Sequence, residues 1–177
     1  MIRKLEIGPG KKRPYNHWIT LDCEERPGVV DVICRWGEEP LPFPDNCIEF
    51  VYTSHVLEHI PWYRTIDALR EVRRVLYPGA TIEIHVPDLD VLIEAVQKRQ
   101  CLDNHAEDGI NSELHWMHWV AERLFHLGPE RQWHRACFNA SHLAWCFEQA
   151  GFRGIQQMPR DPDGSHGLID LGMQAVK

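Results

Sequence analysis

Short apolar runs alternate with segments of helical periodicity along most of the 177-residue chain. This alternation is typical of a mostly parallel sheet covered by helices, because parallel strands need long crossover connections. We therefore predict an α/β fold with a doubly wound, Rossmann-like sheet in one domain spanning residues 1–177. The predicted strands are Arg3–Gly8, Trp18–Asp22, Val29–Cys34, Ile48–Thr53, Thr81–Val86, Phe152–Gln157 and Leu168–Val176.

Three predicted helices have clear ends. Over residues 63–77 apolar side chains recur at spacings of three and four, and Pro78-Gly79 ends the pattern. A second helix begins after Asp88, which we predict as its N-cap. A third is predicted over Ser141–Ala150, with Gly151 in the left-handed position that ends many helices. The apolar side predicted for the second helix is Leu89, Leu92, Ile93 and Val96.

The polar segment Lys98–Phe138 lacks the periodicity of a core element and holds five of the eleven histidines. We interpret it as a His/Trp-rich insertion within the single domain. A stripe of possible ligands recurs in it at spacings of three, four and four. Its members are His115, His118, Glu122 and His126. Such a stripe could bind zinc, but it lacks a recognised metalloenzyme motif, so we expect no metal.

Charge and composition limit the function classes. The 26 acidic residues outnumber the 19 basic ones, so the net charge is −7 and gives no electrostatic footprint for nucleic acid. A small or weakly charged substrate fits better. The sequence lacks both a signal-peptide pattern and an apolar run of membrane-spanning length, so we expect a cytoplasmic protein without membrane association. The six cysteines form no CxxC pair and are predicted to be free thiols.

A glycine turn and a strand-end acid indicate a nucleotide site. The first strand ends in Gly8-Pro9-Gly10, where a missing Cβ lets backbone N–H groups approach a ligand. The third glycine of the dinucleotide fingerprint is replaced by Lys11-Lys12-Arg13, which argues against an NAD enzyme. Asp22 ends the second strand, placed to accept both hydroxyls of a ribose, although a plain turn and a solvated carboxylate remain the alternatives. Only eleven residues separate Gly10 from Asp22, so we expect at most one helical turn there.

Five motifs occur in a fixed order between Val29 and Asp90. They are LPFPD at Leu41–Asp45, an acid-containing strand at Glu49–Tyr52, SHVLEH at Ser54–His59, RVLYPGA at Arg74–Ala80 and VPD at Val86–Asp88. In this order the chain resembles the small class I S-adenosylmethionine-dependent methyltransferases of the methyltransferase type 11-like family. With the turn at Glu6–Gly10 and the Ala150-Gly151-Phe152 ending, the resemblance covers most of the chain outside the insertion.

The resemblance implies a seven-stranded sheet with an antiparallel last strand, and S-adenosylmethionine bound across the carboxyl ends of the strands. It implies cofactor contacts from Glu6, Gly8, Pro9 and Gly10 at the methionine end, Asp22 at the ribose, Cys23, Arg35 and Trp36 beside the adenine, and Ser54 and His55 near the sulfonium. Many relatives hold the adenine with an acid after the third strand. Here Arg35-Trp36 stands in that region, and Trp36 could cover the adenine face instead.

The implied activity is methyl transfer to a hydroxyl or amine of a small molecule or glycan. The alternative is an S-adenosylmethionine-binding domain without transferase activity of its own, acting as a partner subunit. For an oxygen acceptor, His55 and His134 are the candidate general bases. Because the chain starts at the first strand and lacks the helix that often covers the cofactor, we expect cover from a lid formed by Lys98–Phe138 or from a second copy in a homodimer.

Overall fold

A computed structural model describes residues 3–13, 17–99, 115–126, 130–160 and 167–177. Its strands are β1 Lys4–Ile7, β2 Ile19–Asp22, β3 Val32–Ile33, β4 Ile48–Ser54, β5 Leu76–Pro87, β6 Arg153–Gln157 and β7 Asp170–Val176. Its α-helices are α1 Thr65–Val75, α2 Leu89–Lys98, α3 His115–Phe125 and α4 Ala140–Ala150. No helix within these ranges is long and apolar enough to cross a membrane.

The seven strands form one sheet in the order β3-β2-β1-β4-β5-β7-β6. All neighbouring pairs are parallel except those of β7, which runs antiparallel to both β5 and β6. The predicted α/β sheet with an antiparallel last strand is therefore confirmed. The strand order reverses between β1 and β4, and ligands of open α/β sheets bind at the carboxyl edge of such a switch point.

Five strands lie within two residues of their predicted bounds, and two differ by three residues or more at one end. The third strand was predicted over Val29–Cys34, but β3 has only two residues because the N–H groups of Val29 and Val30 both bond to the Arg26 carbonyl at 3.0 Å, in a turn. The fifth strand begins at Leu76, which takes extended backbone and pairs with Ile48, so α1 ends before the predicted Tyr77. Between Gly10 and β2, residues 11–13 and 17–18 contain no helix, as expected.

The core lies between the sheet and the paired helices α1 and α4. Leu69, Val72 and Val75 of α1 are fully buried, as their spacing predicts. The predicted ends of α4 are confirmed, since the Asn139 side chain accepts from the His142 N–H and Gly151 takes a φ of 89°. The five cysteines in the described ranges are free thiols, whereas Cys101 lies outside them.

The described part of the insertion packs as a structural unit. Asp88 caps α2 as predicted, but the buried side of that helix is Leu92 and Ala95, and Ile93 and Val96 are exposed. The reason is α3, whose Trp119 is only 8% exposed in a small cluster with Leu92, Ala95, Val120 and Ile169. Trp119 therefore stabilises the α2–α3 contact and is not available to an acceptor. Residues 100–114 and 127–129 of the predicted lid lie outside the described ranges.

The sheet face opposite α1 and α4 is covered in part by its own side chains. The Lys4 Nζ lies 5.4 Å from the centre of the Trp18 ring, which meets Phe50 edge-on at 5.6 Å. Tyr52 continues this layer and lies 5.6 Å from the His85 ring. All five side chains are partly exposed. The layer replaces some of the burial that a covering helix would supply.

Arg74 explains why the LPFPD and RVL motifs occur together. Its guanidinium donates to the carbonyls of Leu41 and Phe43 at 2.9 and 2.8 Å and to the Asp45 carboxylate at 2.8 Å. It also pairs with Glu71 at 2.9 Å on the same helix. One planar side chain therefore fixes the loop before β4 to helix α1, a geometry that only a five-donor group can satisfy.

Replacement of Arg74 by Lys should lower the free energy of unfolding by about 1–3 kcal/mol, because a single ammonium cannot serve both carbonyls and both carboxylates. Urea denaturation measures the change. Arg70→Lys is the matched control, since within the described ranges exposed Arg70 donates only to Asp67 and the Gln149 carbonyl. The control should stay within about 0.5 kcal/mol of wild type. Equal stabilities for the two variants would contradict the role of Arg74.

Candidate cofactor site

A cleft of about 310 Å³ lies at the carboxyl edge of the sheet. Four neighbouring strands supply its walls, because the chain leaves β1, β2, β3 and β4 at this edge. Of the residues predicted to contact the cofactor, the cleft is lined by Gly8, Gly10, Asp22, Cys23, Arg35, Trp36 and His55. The fold therefore brings these seven together, whereas Glu6, Pro9 and Ser54 lie beside the lining.

The two glycines of the turn have different roles. Gly8 has a φ of 76°, and a Cβ there would lie 2.2 Å from a methyl carbon of Val56. Any side chain at Gly8 would therefore collide with the segment after β4. Gly10 has a φ of 66°, and no atom lies within 4 Å of the place where its Cβ would be. Its backbone is the part of the turn that a ligand can approach.

Asp22 is 9% exposed and already accepts several hydrogen bonds. Arg26 donates to one carboxylate oxygen at 2.7 Å, and the Glu24 N–H donates to the other at 3.0 Å. Arg26 also donates to the Gly10 carbonyl at 3.0 Å, so it spans the cleft from the turn to the acid. Each carboxylate oxygen can accept a second bond, so a ribose diol fits here either beside Arg26 or in its place.

The residues after β3 present different surfaces to the cleft. Trp36 is only 7% exposed, because its indole N–H donates to the Ala68 carbonyl in α1 at 2.9 Å. It is fixed in the core and shows little of its ring. The Arg35 side chain is 65% exposed and lies 3.8 Å from the Glu38 carboxylate. The planar guanidinium of Arg35 is therefore freer to stack on a ligand.

His55 lies at the tip of β4 between two carboxylates. Its φ of 54° is unusual for a residue with a side chain, and its N–H donates to the His85 carbonyl at 2.9 Å. Its Nδ1 lies 3.4 Å from a Glu58 oxygen and its Nε2 3.3 Å from an Asp170 oxygen. Burial lowers the pKa of His55, but the bonds to Asp170 and Glu58 outweigh it and raise the pKa to about 9. A raised pKa favours the imidazolium form, which has no lone pair, and so disfavours the predicted general-base role of His55.

Asp170 joins His55 to a second histidine. It accepts from Nδ1 of His85 at 2.6 Å, and Nε2 of His85 lies 3.1 Å from Glu83. Burial lowers the pKa of His85, but these two acids raise it to about 9. Burial by itself would raise the pKa of Asp170, but the two histidines bring it well below its usual range. Asp170 escaped the sequence analysis because 115 residues separate it from His55.

His134 lies outside the cofactor cleft. It lines a smaller neighbouring cavity with Glu58, and its Nδ1 donates to the Arg123 carbonyl at 2.8 Å. Burial is the main cause that lowers the pKa of His134, so its ring is neutral. Ligand atoms of Glu58, His59 and His134 all lie within 4.8 Å of one another, an arrangement that could hold a metal ion. The histidines and glutamate predicted as a stripe on α3 form no metal-binding group within the described residues. Of that stripe, only His126 lies near Glu58, His59 and His134 there.

The fold and cleft define a Rossmann-like protein that binds a nucleotide-containing cofactor. The chain belongs to the methyltransferase-domain family, whose sequence profile, described as "Methyltransferase domain", matches residues 21–157. The predicted class of protein is therefore confirmed. No curated protein gives a match.

Solved structures of S-adenosylmethionine-dependent methyltransferases have the same fold. One from Archaeoglobus fulgidus aligns with a TM-score of 0.62 and 16% identity over 99% of this chain and 86% of that chain. A possible histamine N-methyltransferase from Thermotoga maritima aligns with a TM-score of 0.58 and 16% identity, over 99% of this chain and 82% of that chain. Human N-acetylserotonin methyltransferase, solved in complex with S-adenosylmethionine, aligns with a TM-score of 0.56 and 15% identity, over 99% of this chain and 47% of that chain.

The histidines at Asp170 predict a pH-dependent stability. The pKa of each histidine is near 9 in the folded protein, against 6.5 for a free histidine. Their contribution to the free energy of unfolding is therefore complete below about pH 6.5 and is lost as the pH rises through about 9. Glu83→Gln should lower the pKa of His85, measured by NMR titration, and flatten the fall in unfolding free energy between pH 7 and 9. Glu49→Gln, an exposed acid on β4, is the control and should leave both unchanged. An unaltered His85 titration in Glu83→Gln would refute this assignment.

Proposed function

We propose that this chain is an S-adenosylmethionine-dependent methyltransferase that acts on a hydroxyl or amine of a small molecule or glycan. The observation that carries the proposal is the cleft at the switch point, where Gly10, Asp22 and His55 come together from the ends of β1, β2 and β4. The open backbone at Gly10 fits a ligand chain, and the carboxylate of Asp22 fits a ribose diol.

The buried acid Glu6 is a second residue whose chemistry suits the cofactor. Its carboxylate is 7% exposed, and one of its oxygens has no hydrogen-bond partner in the described part of the chain. Burial raises its pKa to about 7, so a fraction of the protein keeps this acid protonated at neutral pH. A cationic amino group, such as that of the methionine part of the cofactor, would supply the missing partner.

The surroundings of the cleft support a planar or sugar-like acceptor. Three large aromatic side chains that adjoin cleft-lining residues in the sequence are exposed to solvent, namely Trp62, Tyr63 and Trp133. The first two follow Pro61, which lines the cleft, and Trp133 follows Gln132, which also lines it. Aromatic faces favour flat or apolar ligand surfaces, and the net charge of −7 disfavours a polyanion.

The bound cofactor supplies an activated methyl group, so the protein mainly aligns the acceptor and excludes water. His55 holds a positive charge at the strand tip between Glu58 and Asp170, and it contributes to the electrostatics of the cleft without accepting a proton. An amine acceptor would need only loss of its proton to solvent. A hydroxyl acceptor needs another group to favour its deprotonation.

Turnover of S-adenosylmethionine to S-adenosylhomocysteine tests the activity. The purified chain is offered phenols, amines and oligosaccharides, and acceptor-dependent product with saturation supports the proposal. Cofactor binding without turnover on any of these classes would contradict it and favour the alternative of a binding subunit.

Asp22→Ala should weaken binding of S-adenosylhomocysteine by about 1–3 kcal/mol, or about 5- to 150-fold, through the loss of charge-assisted hydrogen bonds to the ribose. Calorimetry measures the affinity. Because Asp22 also accepts from the Glu24 N–H, Asp22→Asn serves as a milder variant that keeps one acceptor. Glu25→Ala is the matched control, since exposed Glu25 lies outside the cleft lining. Wild-type affinity in both Asp22 variants would remove this residue from the site.

Glu6 predicts a pH dependence of cofactor affinity. If its carboxylate pairs with the cofactor's amino group, only the deprotonated form binds well, and the affinity for S-adenosylhomocysteine should rise about tenfold between pH 6 and 8. Glu6→Gln should bind more weakly at pH 8 and show a flat profile. Calorimetry at several pH values measures both. The same slope in Glu6→Gln and wild type would assign the titrating group elsewhere.

A further inference from the structure

We propose that Glu58, His59 and His134 form a binding site for one divalent transition-metal ion, with Zn²⁺ as the representative ion, in the wall between the cofactor cleft and the smaller cavity. His59 lines the cleft, whereas Glu58 and His134 line the cavity. One ligand atom from each residue lies within 4.8 Å of the others. This proposal departs from the sequence-based expectation of no metal.

Backbone hydrogen bonds hold the two contributing segments together. Glu58 and His59 belong to a short 3-10 turn, Leu57–His59, that follows β4. The N–H groups of Arg135 and Ala136 both donate to the Glu58 carbonyl, at 2.7 and 3.1 Å. His134 is therefore fixed beside the turn by main-chain contacts that do not depend on its side chain. A site prepared in this way loses little conformational entropy when an ion binds.

Both histidines are held in the state that a metal requires. Nδ1 of His134 lies 2.8 Å from the Arg123 carbonyl, and Nδ1 of His59 lies 3.4 Å from the Trp133 carbonyl. A carbonyl only accepts hydrogen bonds, so Nδ1 is the donor in each ring, and in the neutral tautomer that this favours the Nε2 lone pair is the one offered to a metal. Bonding of the second ring nitrogen to a backbone carbonyl is the usual way in which proteins orient metal-binding histidines.

Glu58 is a buried acid with unsatisfied oxygens. Its side chain is 1% exposed, and within the described ranges neither carboxylate oxygen has a hydrogen-bond partner. The basic groups beside it are His55 Nδ1 at 3.4 Å and His134 Nε2 at 3.9 Å, both next to the same oxygen. One Glu58 oxygen faces His55, whereas the other has no partner within the described ranges. A buried carboxylate oxygen without a partner is costly, and a divalent cation would satisfy it.

The donor set indicates the class of ion. Two imidazole nitrogens and one carboxylate oxygen are ligands for Zn²⁺ and related first-row metals, whereas Ca²⁺ and Mg²⁺ prefer oxygen alone. The His126 ring lies 5.8 Å from that of His134 and 6.1 Å from that of His59, so it is a candidate for a fourth ligand. Metal bonds of about 2.0–2.2 Å would draw the three ligand atoms slightly closer than they stand here.

Three protein ligands leave coordination positions for other oxygen atoms. A metal in this wall could bind an acceptor hydroxyl and lower its pKa. This step rests on the proposed function, whereas metal binding itself does not.

Metal binding tests the proposal directly. The full chain is freed of metal with a chelator and titrated with Zn²⁺ by calorimetry, and with Co²⁺ by visible absorption as a spectroscopic probe. We expect one ion per chain and a Co²⁺ spectrum without a thiolate charge-transfer band, since the ligands are nitrogen and oxygen. His59→Gln and Glu58→Gln should each weaken binding by more than about 100-fold, beyond the effect of losing an outer-shell contact.

His118→Gln is the matched control, because exposed His118 belongs to the rival stripe on α3. It should bind as wild type does. Absence of metal binding, or an unchanged affinity in His59→Gln, would overturn the site. So would a thiolate charge-transfer band in the wild-type Co²⁺ spectrum together with loss of binding in Cys137→Ser, because the ligand would then be a cysteine. Thermal unfolding without metal shows that each variant is folded. S-adenosylhomocysteine binding by the same samples separates failure of this site from failure of the proposed function.

Discussion

The carboxylate of Asp170 holds together the edge of the sheet on which the cofactor cleft depends. It accepts from His55 at the end of β4 and from His85 in β5, and it is itself the first residue of β7. The ends of three strands thus meet at one partly buried charge. Both histidines stay protonated because an unpaired carboxylate at this position would be far less stable than the ion pairs. The antiparallel course of β7 is what brings Asp170 to this edge.

This arrangement gives several residues of the SHVLEH segment a physical reason. His55 turns the chain with a positive φ and pairs with Asp170, while Leu57 is fully buried in the core. The backbone carbonyl of Glu58 accepts hydrogen bonds from the segment that follows His134. The side chain of Glu58 lies buried beside the smaller cavity. The same six residues therefore end a strand, anchor the insertion and supply two groups of a cluster in the wall between the cofactor cleft and the smaller cavity.

The features that could be predicted from the sequence are those set by residues close together in the chain. Helix α4 was predicted to within one residue, and its end was found because Gly151 is a local signal, while its cap at Asn139 was seen only in the structure. Motifs in a fixed order predicted the sheet and the cleft-lining set. The bounds of β3 were wrong because a turn bonded to the Arg26 carbonyl overrides the preference of Val29 and Val30 for strands. The partner of His55 and the group around His134 could not be predicted, since spacing does not show which distant residues the fold brings together.

The layer of Lys4, Trp18, Phe50, Tyr52 and His85 has a thermodynamic consequence for the whole domain. These side chains remain partly hydrated in the folded protein, so unfolding exposes less new apolar surface from this face than from the face under α1 and α4. The heat capacity of unfolding scales with that newly exposed surface and is roughly 12–15 cal/mol/K per residue in ordinary domains. These five side chains therefore contribute less to the heat capacity of unfolding than they would if fully buried, and a smaller heat capacity makes stability change more gradually with temperature.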